Sequence, residues 1–357
     1  MKILIVKLSA VGDVIHTLPS LAALRRRFPR AHISWVVEEA ASDLLRNHPC
    51  LDELIISGRK RWIKELKEGK YSKVLKEAGR FISDLRSRRY DLVIDFHGLF
   101  KSAVLAWLSG ASRRLGYDSM QELSGLFYTE KIPEDLSRHA VDRYLDFPRH
   151  LGADVKQPEF FLDISAPQHR HIDHLFEEFH LSGQENLVAI NTVALWDTKL
   201  WDDEKFARLG DRISRELKAA VVFTGSDPAP MENILSRMTA PAFNFGGRTS
   251  LRELAHLYQR ARLLITTDSG PMHLAAAVGT PVVALFGPTD PARTGPYGKG
   301  HRVLRKGLEC SPCLRKSCKT RICMHNISVD EVFYAVKGVL ESPAARRCIP
   351  LPDPDSP

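Results

Sequence analysis

The sequence predicts an α/β protein built of two doubly wound parallel sheets, and three observations carry that expectation. Short apolar runs alternate with segments of helical spacing from the first residue onward, the order of a parallel sheet covered by helices on both faces. The alternation fades around residues 157–185 and restarts at Leu187. At 357 residues the chain also exceeds one ordinary domain, so two cores are expected. The boundaries fall at 1–165 and 166–341, with 342–357 a disordered tail rich in proline and polar residues.

In the first half, Lys2-Ile-Leu-Ile-Val-Lys-Leu reads as a buried strand opening into Ser9-Ala-Val-Gly-Asp13. Val14–Phe28 has helical spacing and ends on Arg25, Arg26 and Arg27, where cations suit the helix dipole. A second strand starts at His32, a helix covers Ala41–Asn47 and a third strand starts at Glu53. The basic run Arg59–Lys64 leads into a polar helix ending near Arg89. Such a run is either a solvated helix start or an anion-binding loop. Tyr90–Gly98 returns to strand and Lys101–Leu108 to helix.

Pro158, Pro167 and Ser182-Gly183 mark the boundary region. Its histidines, His169, His171 and His174, lack the cysteines or paired carboxylates of a metal site. Strand Leu187–Thr192, loop Val193–Trp201 and helix Asp203–Leu217 open the second half. Strand Ala220–Thr224, a turn at Gly225–Pro228, helix Met231–Met238, strand Phe243–Phe245 and helix Leu251–Arg260 follow. Strand Arg262–Thr267 then meets Asp268-Ser-Gly-Pro, a helix closing on Gly279, and a buried strand from Thr280 to Gly287. Beyond Pro296 the pattern is irregular until an amphipathic helix at Val329–Leu340.

A hydrophobic fraction of 44% and a charged fraction of 26% suit a soluble globular protein. No secretory or membrane-spanning run is present, which places the protein in the cytoplasm. The net charge of +8 suits an anionic partner, but the basic residues look scattered and no nucleic-acid motif occurs, so nucleic acid is not expected. Four of six cysteines fall in Cys310–Cys323. Cys310, Cys313, Cys318 and Cys323 could hold a structural zinc, or form a packed loop of free thiols or a redox-dependent disulfide. No D-x-D stands at a strand end, so metal-independent chemistry is expected.

Asp13 lies at the first strand-to-helix turn, where open sheets present functional groups, and is also an N-cap candidate. Its segment lacks the G-x-G-x-x-G fingerprint, which argues against NAD or FAD. Ser269 and Gly270 would offer N–H groups to a phosphate at a helix N-terminus, with Asp268 and His273 on sugar or phosphate oxygens. The competing reading makes Asp268 a cap and His273 a packed histidine. Lys199, in the loop between Trp196 and Trp201, is a compact charge suited to a diphosphate, or a solvated lysine.

Met1–Pro19, Arg61-Trp62, Tyr90–Ser102, Thr198–Trp201 and Thr267–Ala277, in that order, resemble the glycosyltransferase family 9 heptosyltransferases, and the resemblance runs nearly to Leu340. It implies a GT-B fold, two Rossmann-like domains facing a central cleft. ADP-heptose would be the donor substrate, bound mainly by the C-terminal domain, with no cofactor required. L-glycero-D-manno-heptose would pass, with inversion, to the Kdo of Kdo2-lipid A. The resemblance makes Asp13 the general base and Lys199 the neutraliser of the departing diphosphate. Asp268 would hold heptose hydroxyls, Ser269 and Gly270 phosphate, and His273 and Glu232 other parts of the donor. Lys60, Arg61 and Lys64 would meet Kdo carboxylates and lipid phosphates.

A monomer, peripheral on the anionic inner face of the inner membrane, is implied as well. Ala194-Leu-Trp196 stands where the family has threonines, so those donor contacts do not carry over. The cysteine cluster is more like members that add the second heptose, which keeps that transfer, or another family 9 sugar transfer, as an alternative. A non-catalytic sugar-nucleotide-binding module is the alternative of another class, since it needs the donor site but no base.

Overall fold

A computed structural model describes residues 1–119 and 121–342. The expected disordered tail therefore lies, but for Ser342, outside the described residues. The chain divides into two compact units, Met1–Asp163 and Ile164–Pro357.

In the first unit, β1 (Lys2–Val6), β2 (His32–Glu38), β3 (Glu53–Ser57), β4 (Leu92–Asp95), β5 (Arg113–Tyr117) and β6 (Glu130–Ile132) form one sheet. The order is β3-β2-β1-β4-β5-β6 and every pairing is parallel. The helices are α1 (Val11–Arg27), α2 (Glu39–Ser42), α3 (Arg59–Lys67), α4 (Tyr71–Ser87), α5 (Phe100–Leu108), α6 (Ala140–Tyr144) and α7 (Asp146–His150). Crossover helices cover both faces, which is why Ile3, Leu4, Ile5 and Val6 form an uninterrupted apolar run, all buried. Leu4, Val6, Val36 and Val93 meet Leu85 of α4 and Ala106 of α5 in one core cluster. Each such aliphatic side chain contributes about 1.5–3 kcal/mol by leaving water.

The second unit repeats the plan with β7 (Leu187–Asn191), β8 (Ala220–Thr224), β9 (Phe243–Asn244), β10 (Leu263–Thr267), β11 (Val282–Phe286) and β12 (Arg302–Arg305). Its parallel order, β12-β11-β10-β7-β8-β9, is the winding of the first sheet read from the other edge. The helices are α8 (Ala166–Glu178), α9 (Asp203–Leu217), α10 (Ala229–Leu235), α11 (Leu251–Arg260), α12 (Gly270–Ala277), α13 (Pro291–Thr294), α14 (Ile322–His325) and α15 (Val329–Glu341). Ile190, Phe206, Val221, Phe223, Phe333 and Val336 anchor its core. A capping box starts α11: Ser250 Oγ accepts the Glu253 N–H (3.4 Å) and the Glu253 carboxylate accepts the Ser250 N–H (2.7 Å).

In each sheet the winding reverses once, between β1 and β4 and between β7 and β10. There two successive crossovers leave in opposite directions, and the loops at the carboxyl ends part to form a crevice. That places two candidate sites, one per unit.

Several local expectations are corrected. Helix α1 begins at Val11 with Ala10 as its N-cap, so Asp13 sits inside the first turn and is not the cap. The helix expected over Ala41–Asn47 is the single turn α2 followed by a 3-10 turn, Asp43–Leu45. The long polar helix after Arg59 is two helices, parted at Gly69, whose φ of +79° suits a residue without Cβ. Helix α10 starts and ends earlier than Met231–Met238.

Candidate active site

At the carboxyl end of β1 the chain passes through Lys7 into α1, where Asp13 is the third helical residue. One carboxylate oxygen, Oδ2, accepts the Ala10 N–H at 3.1 Å. The other, Oδ1, accepts the Tyr144 hydroxyl at 3.2 Å and lies 3.9 Å from Lys7 Nζ. Lys7 is buried and donates to Tyr144 Oη (2.6 Å) and to the Phe96 carbonyl (2.9 Å). Asp13 is thus held from three sides while 40% of its side chain stays open.

Burial pushes the Asp13 carboxyl up, but Lys7, the Ala10 N–H, His97 and the Tyr144 hydroxyl together outweigh it and hold the group below the usual carboxylate range. Burial likewise pulls Lys7 below the usual lysine range, further than the Asp13 and Asp95 charges raise it. The product is an ionised, solvent-reaching carboxylate at neutral pH, fit to accept a proton.

The neighbouring strand β4 ends in Asp95, which is buried. Its Oδ1 accepts the His97 and Gly98 N–H groups (2.8 and 3.2 Å) and its Oδ2 the Tyr128 hydroxyl (2.7 Å). That turn carries His97 beside the Asp13 site. Burial, Lys7 and Lys101 push His97 down to about 3, so its imidazole is neutral, and both ring nitrogens are buried without a hydrogen-bond partner among the described residues.

In the second unit, Asn191 ends β7 and bridges the point where the winding reverses. Its Nδ2 donates to the Val193 carbonyl (2.9 Å) and reaches Thr266 Oγ1 and Ser269 Oγ (both 3.2 Å). Lys199 closes the 3-10 turn Asp197–Lys199, and its Nζ is 2.6 Å from Asp268 Oδ2. The same oxygen accepts the Thr289 hydroxyl at 2.7 Å. The pair is nearly closed off, at 16% and 6% exposure. The Trp196 ring lies 4.5 Å from Lys199 Nζ and 5.5 Å from Lys316 Nζ.

Asp268 is therefore not a cap. The N-cap of α12 is Ser269, and the Asp268 carboxylate is committed to Lys199 and Thr289. Ser269 Oγ is 3.1 Å from Thr266 Oγ1, and Gly270 is the first helical residue. His273 is buried one turn further along α12. Glu232 is exposed in the first turn of α10, and its carboxylate has no hydrogen bond or ion pair among the described residues.

The structure thus brings Lys199, Asp268, Ser269 and Gly270 to one strand-end site and puts Asp13 at the matching place in the other unit. Lys60, Arg61 and Lys64 lie on α3, which makes the Arg59–Lys64 run a helix and not a loop. Lys60 reaches Glu38 (2.9 Å) and Arg61 reaches Glu77 (2.9 Å), beside a cavity of about 650 Å³ that Trp62 and Phe81 also line. Of the readings left open for the cysteine cluster, the structure shows the packed loop of free thiols. Cys310, Cys313, Cys318 and Cys323 are free thiols, and among the described residues no group of three or more His, Cys, Asp or Glu is placed to hold a metal ion. The segment instead packs as a loop, with the Cys313 and Leu314 N–H groups on the Pro288 carbonyl.

Lys7, Tyr144, Asn191 and Thr289 were not singled out from sequence. Lys7 has a signal, a lone charge inside an apolar strand. Tyr144 has none, being 137 residues from the lysine it touches.

The fold is similar to that of a glycosyltransferase family 9 protein from Veillonella parvula, with a TM-score of 0.78 at 29% identity over 96% of this chain and 97% of that one. It is also similar to the Escherichia coli heptosyltransferase WaaC solved with ADP, with a TM-score of 0.76 at 25% identity over 95% of this chain and 100% of that one. Two doubly wound units with these likenesses define a glycosyltransferase of GT-B architecture. In sequence, the chain is 33% identical over 330 residues to lipopolysaccharide heptosyltransferase 1 of Pseudomonas aeruginosa, covering 89% of this chain and 87% of that protein. The family model for glycosyltransferase family 9 (heptosyltransferase) matches residues 78–323, and the chain belongs to that family.

Proposed function

We propose that the protein is an inverting, metal-independent heptosyltransferase that moves L-glycero-D-manno-heptose from ADP-heptose to the Kdo of Kdo2-lipid A. The observation that carries the reading is Asp13: an ionised carboxylate, open to solvent, fixed at the point where the first sheet's winding reverses. Asp13 takes the proton of the acceptor hydroxyl as that oxygen attacks the anomeric carbon. The bond from that carbon to the diphosphate oxygen breaks in the same displacement, so the configuration inverts and the proton ends on Asp13. ADP leaves with added negative charge, which Lys199 offsets once it turns from Asp268 to the diphosphate.

Asp268 is then free to accept from heptose hydroxyls, and the Ser269 and Gly270 N–H groups, ahead of Pro271, face phosphate oxygens. Lys60, Arg61 and Lys64 of α3 suit the carboxylates and phosphates of the acceptor. Relatives named lipopolysaccharide heptosyltransferase 1 support first-heptose transfer. An acceptor embedded in a bilayer calls for work at a membrane surface, and no helix among the described residues is long and apolar enough to cross one.

The test is a transfer assay with ADP-heptose against Kdo2-lipid A and its mono-heptosylated form, with chelator present. Transfer to the first alone supports the reading, and transfer to the second assigns the next heptose instead. Asp13→Ala should abolish turnover and keep ADP affinity. Turnover surviving that change refutes the base assignment, and donor binding without turnover in the unaltered protein marks a binding module.

A further inference from the structure

The positive charge of the chain is concentrated, contrary to the expectation that it is scattered. Residues 59–76, which span α3, its link and the start of α4, hold eight Lys or Arg against two Glu. That is a net +6, beside +8 for the whole sequence.

One side of this helical hairpin is tied to its unit, with Arg59 and Lys60 on Glu38 of β2 and Phe81 and Leu85 of α4 on the core, and the two helices pack on each other. Trp62 sets its ring edge-on to Phe81 (5.6 Å between centroids) and donates its indole N–H to Glu77 (3.0 Å), and Glu65 and Val74 are buried. Away from those contacts Ile63, Leu66, Tyr71 and Leu75 are all exposed, with Tyr71 at 63% and Leu75 at 72%. The pairs Ile63/Leu66 and Tyr71/Leu75 have the i,i+3 and i,i+4 spacing that aligns side chains on a helix surface. Lys60, Lys70 and Lys73 are paired with Glu38, Glu68 and Glu65. Lys64, Lys67 and Lys76 have no carboxylate partner among the described residues.

Single exposed apolar residues are ordinary, but four within thirteen residues, interleaved with unneutralised lysines, are the composition of an interfacial helix. A second copy of the chain is a poor occupant, since +6 would face +6. Nucleic acid would satisfy the lysines but leave Leu75 and Ile63 unused. An anionic phospholipid bilayer satisfies both.

We propose that the outer side of the α3–α4 hairpin is the surface by which the protein lies on an anionic phospholipid bilayer. Ile63, Leu66, Tyr71 and Leu75 enter the headgroup layer, and Lys64, Lys67 and Lys76 meet lipid phosphates. The proposal rests on the functional reading above only for its lipid-borne acceptor; docking itself needs no turnover.

The experiment uses the full chain and vesicles of phosphatidylethanolamine with phosphatidylglycerol, or of phosphatidylcholine alone, without donor or acceptor. The protein should co-sediment with the anionic vesicles only. Y71S/L75S, shown folded by circular dichroism, should bind at least tenfold more weakly, and K67Q/K76Q should bind more weakly with a shallower salt dependence. Undiminished binding by Y71S/L75S overturns insertion, and so does equal binding to neutral vesicles. Tighter binding to a single-stranded oligonucleotide than to vesicles also overturns the proposal. With a deacylated, water-soluble acceptor both variants should keep the parent kcat and KM, while with vesicle-borne acceptor their KM should rise about tenfold. If the unaltered protein transfers to neither acceptor, the functional reading fails and the vesicle result still decides the docking surface.

Discussion

Replacing Lys7 by methionine removes the cation nearest the proposed base while keeping the reach and most of the volume of the side chain. At 3.9 Å, full charges interact by about 4 kcal/mol at an effective dielectric of 20 and by about 1 kcal/mol in water. Asp13 is 40% open, so solvent screening favours the lower end, about 1–1.5 kcal/mol, or about one pKa unit. The direction follows from the present state of the group. Asp13 is held below the usual carboxylate range, Lys7 is the largest of the influences that lower it, and losing Lys7 moves the carboxyl up.

A base must be ionised to act, so the acid limb of kcat/KM against pH should shift upward by about one unit. The variant also leaves the Phe96 carbonyl and Tyr144 Oη without their shared donor, a stability loss of about 1–3 kcal/mol. The assay is therefore a pH profile on a water-soluble acceptor, with folding checked at every pH. Tyr144→Phe, which removes the 3.2 Å donor to Asp13 and one acceptor of Lys7 but keeps the Lys7 charge, should shift the limb the same way by less. An acid limb that stays in place in folded Lys7→Met refutes the coupling.

Three further outcomes follow from particular contacts. Lys199→Met strands the nearly buried Asp268 carboxylate with Thr289 alone, which should lower stability by about 2–4 kcal/mol. Adding Asp268→Asn should recover much of that in a double-mutant cycle read by thermal melts, while kcat stays down by about 10²–10³. A Cβ at Gly116 would fall 2.3 Å from the Tyr128 ring and displace the hydroxyl that holds Asp95, so Gly116→Ala should cost about 1–3 kcal/mol in urea unfolding. Ser250→Ala removes the cap of α11 and should cost about 1 kcal/mol by the same measurement.

The elements legible in the sequence are those whose pattern is local. Strands β1, β4, β7, β10 and β11 are covered on both faces and read as continuous apolar runs, so their ends, and with them Asp13, Lys199 and Asp268, could be located. Strands β5, β6 and β12 escape because they are short or mix arginine and lysine with apolar residues, as strands toward a sheet edge do. The position of Asp13 within its turn was misjudged because Ala10, a poor cap by residue type, starts the helix, and the carboxylate serves from the third position. The link between Lys7 and Tyr144 depends on how the sheet brings distant segments together, and no periodicity encodes that.

The hydroxyls around Asn191 leave little freedom in where their protons point. Thr266 gives its proton to the Thr267 carbonyl (2.9 Å), so in its 3.1 Å contact with Ser269 it can only receive. Ser269 must then spend its one hydroxyl proton on Thr266, while its oxygen is already approached by the Asn191 amide. An incoming phosphate therefore competes with Thr266 for the Ser269 proton. What remains to greet it is main chain: the Gly270 N–H, first of its helix and without an intrahelical partner, with a direction that no side-chain substitution at Ser269 can turn.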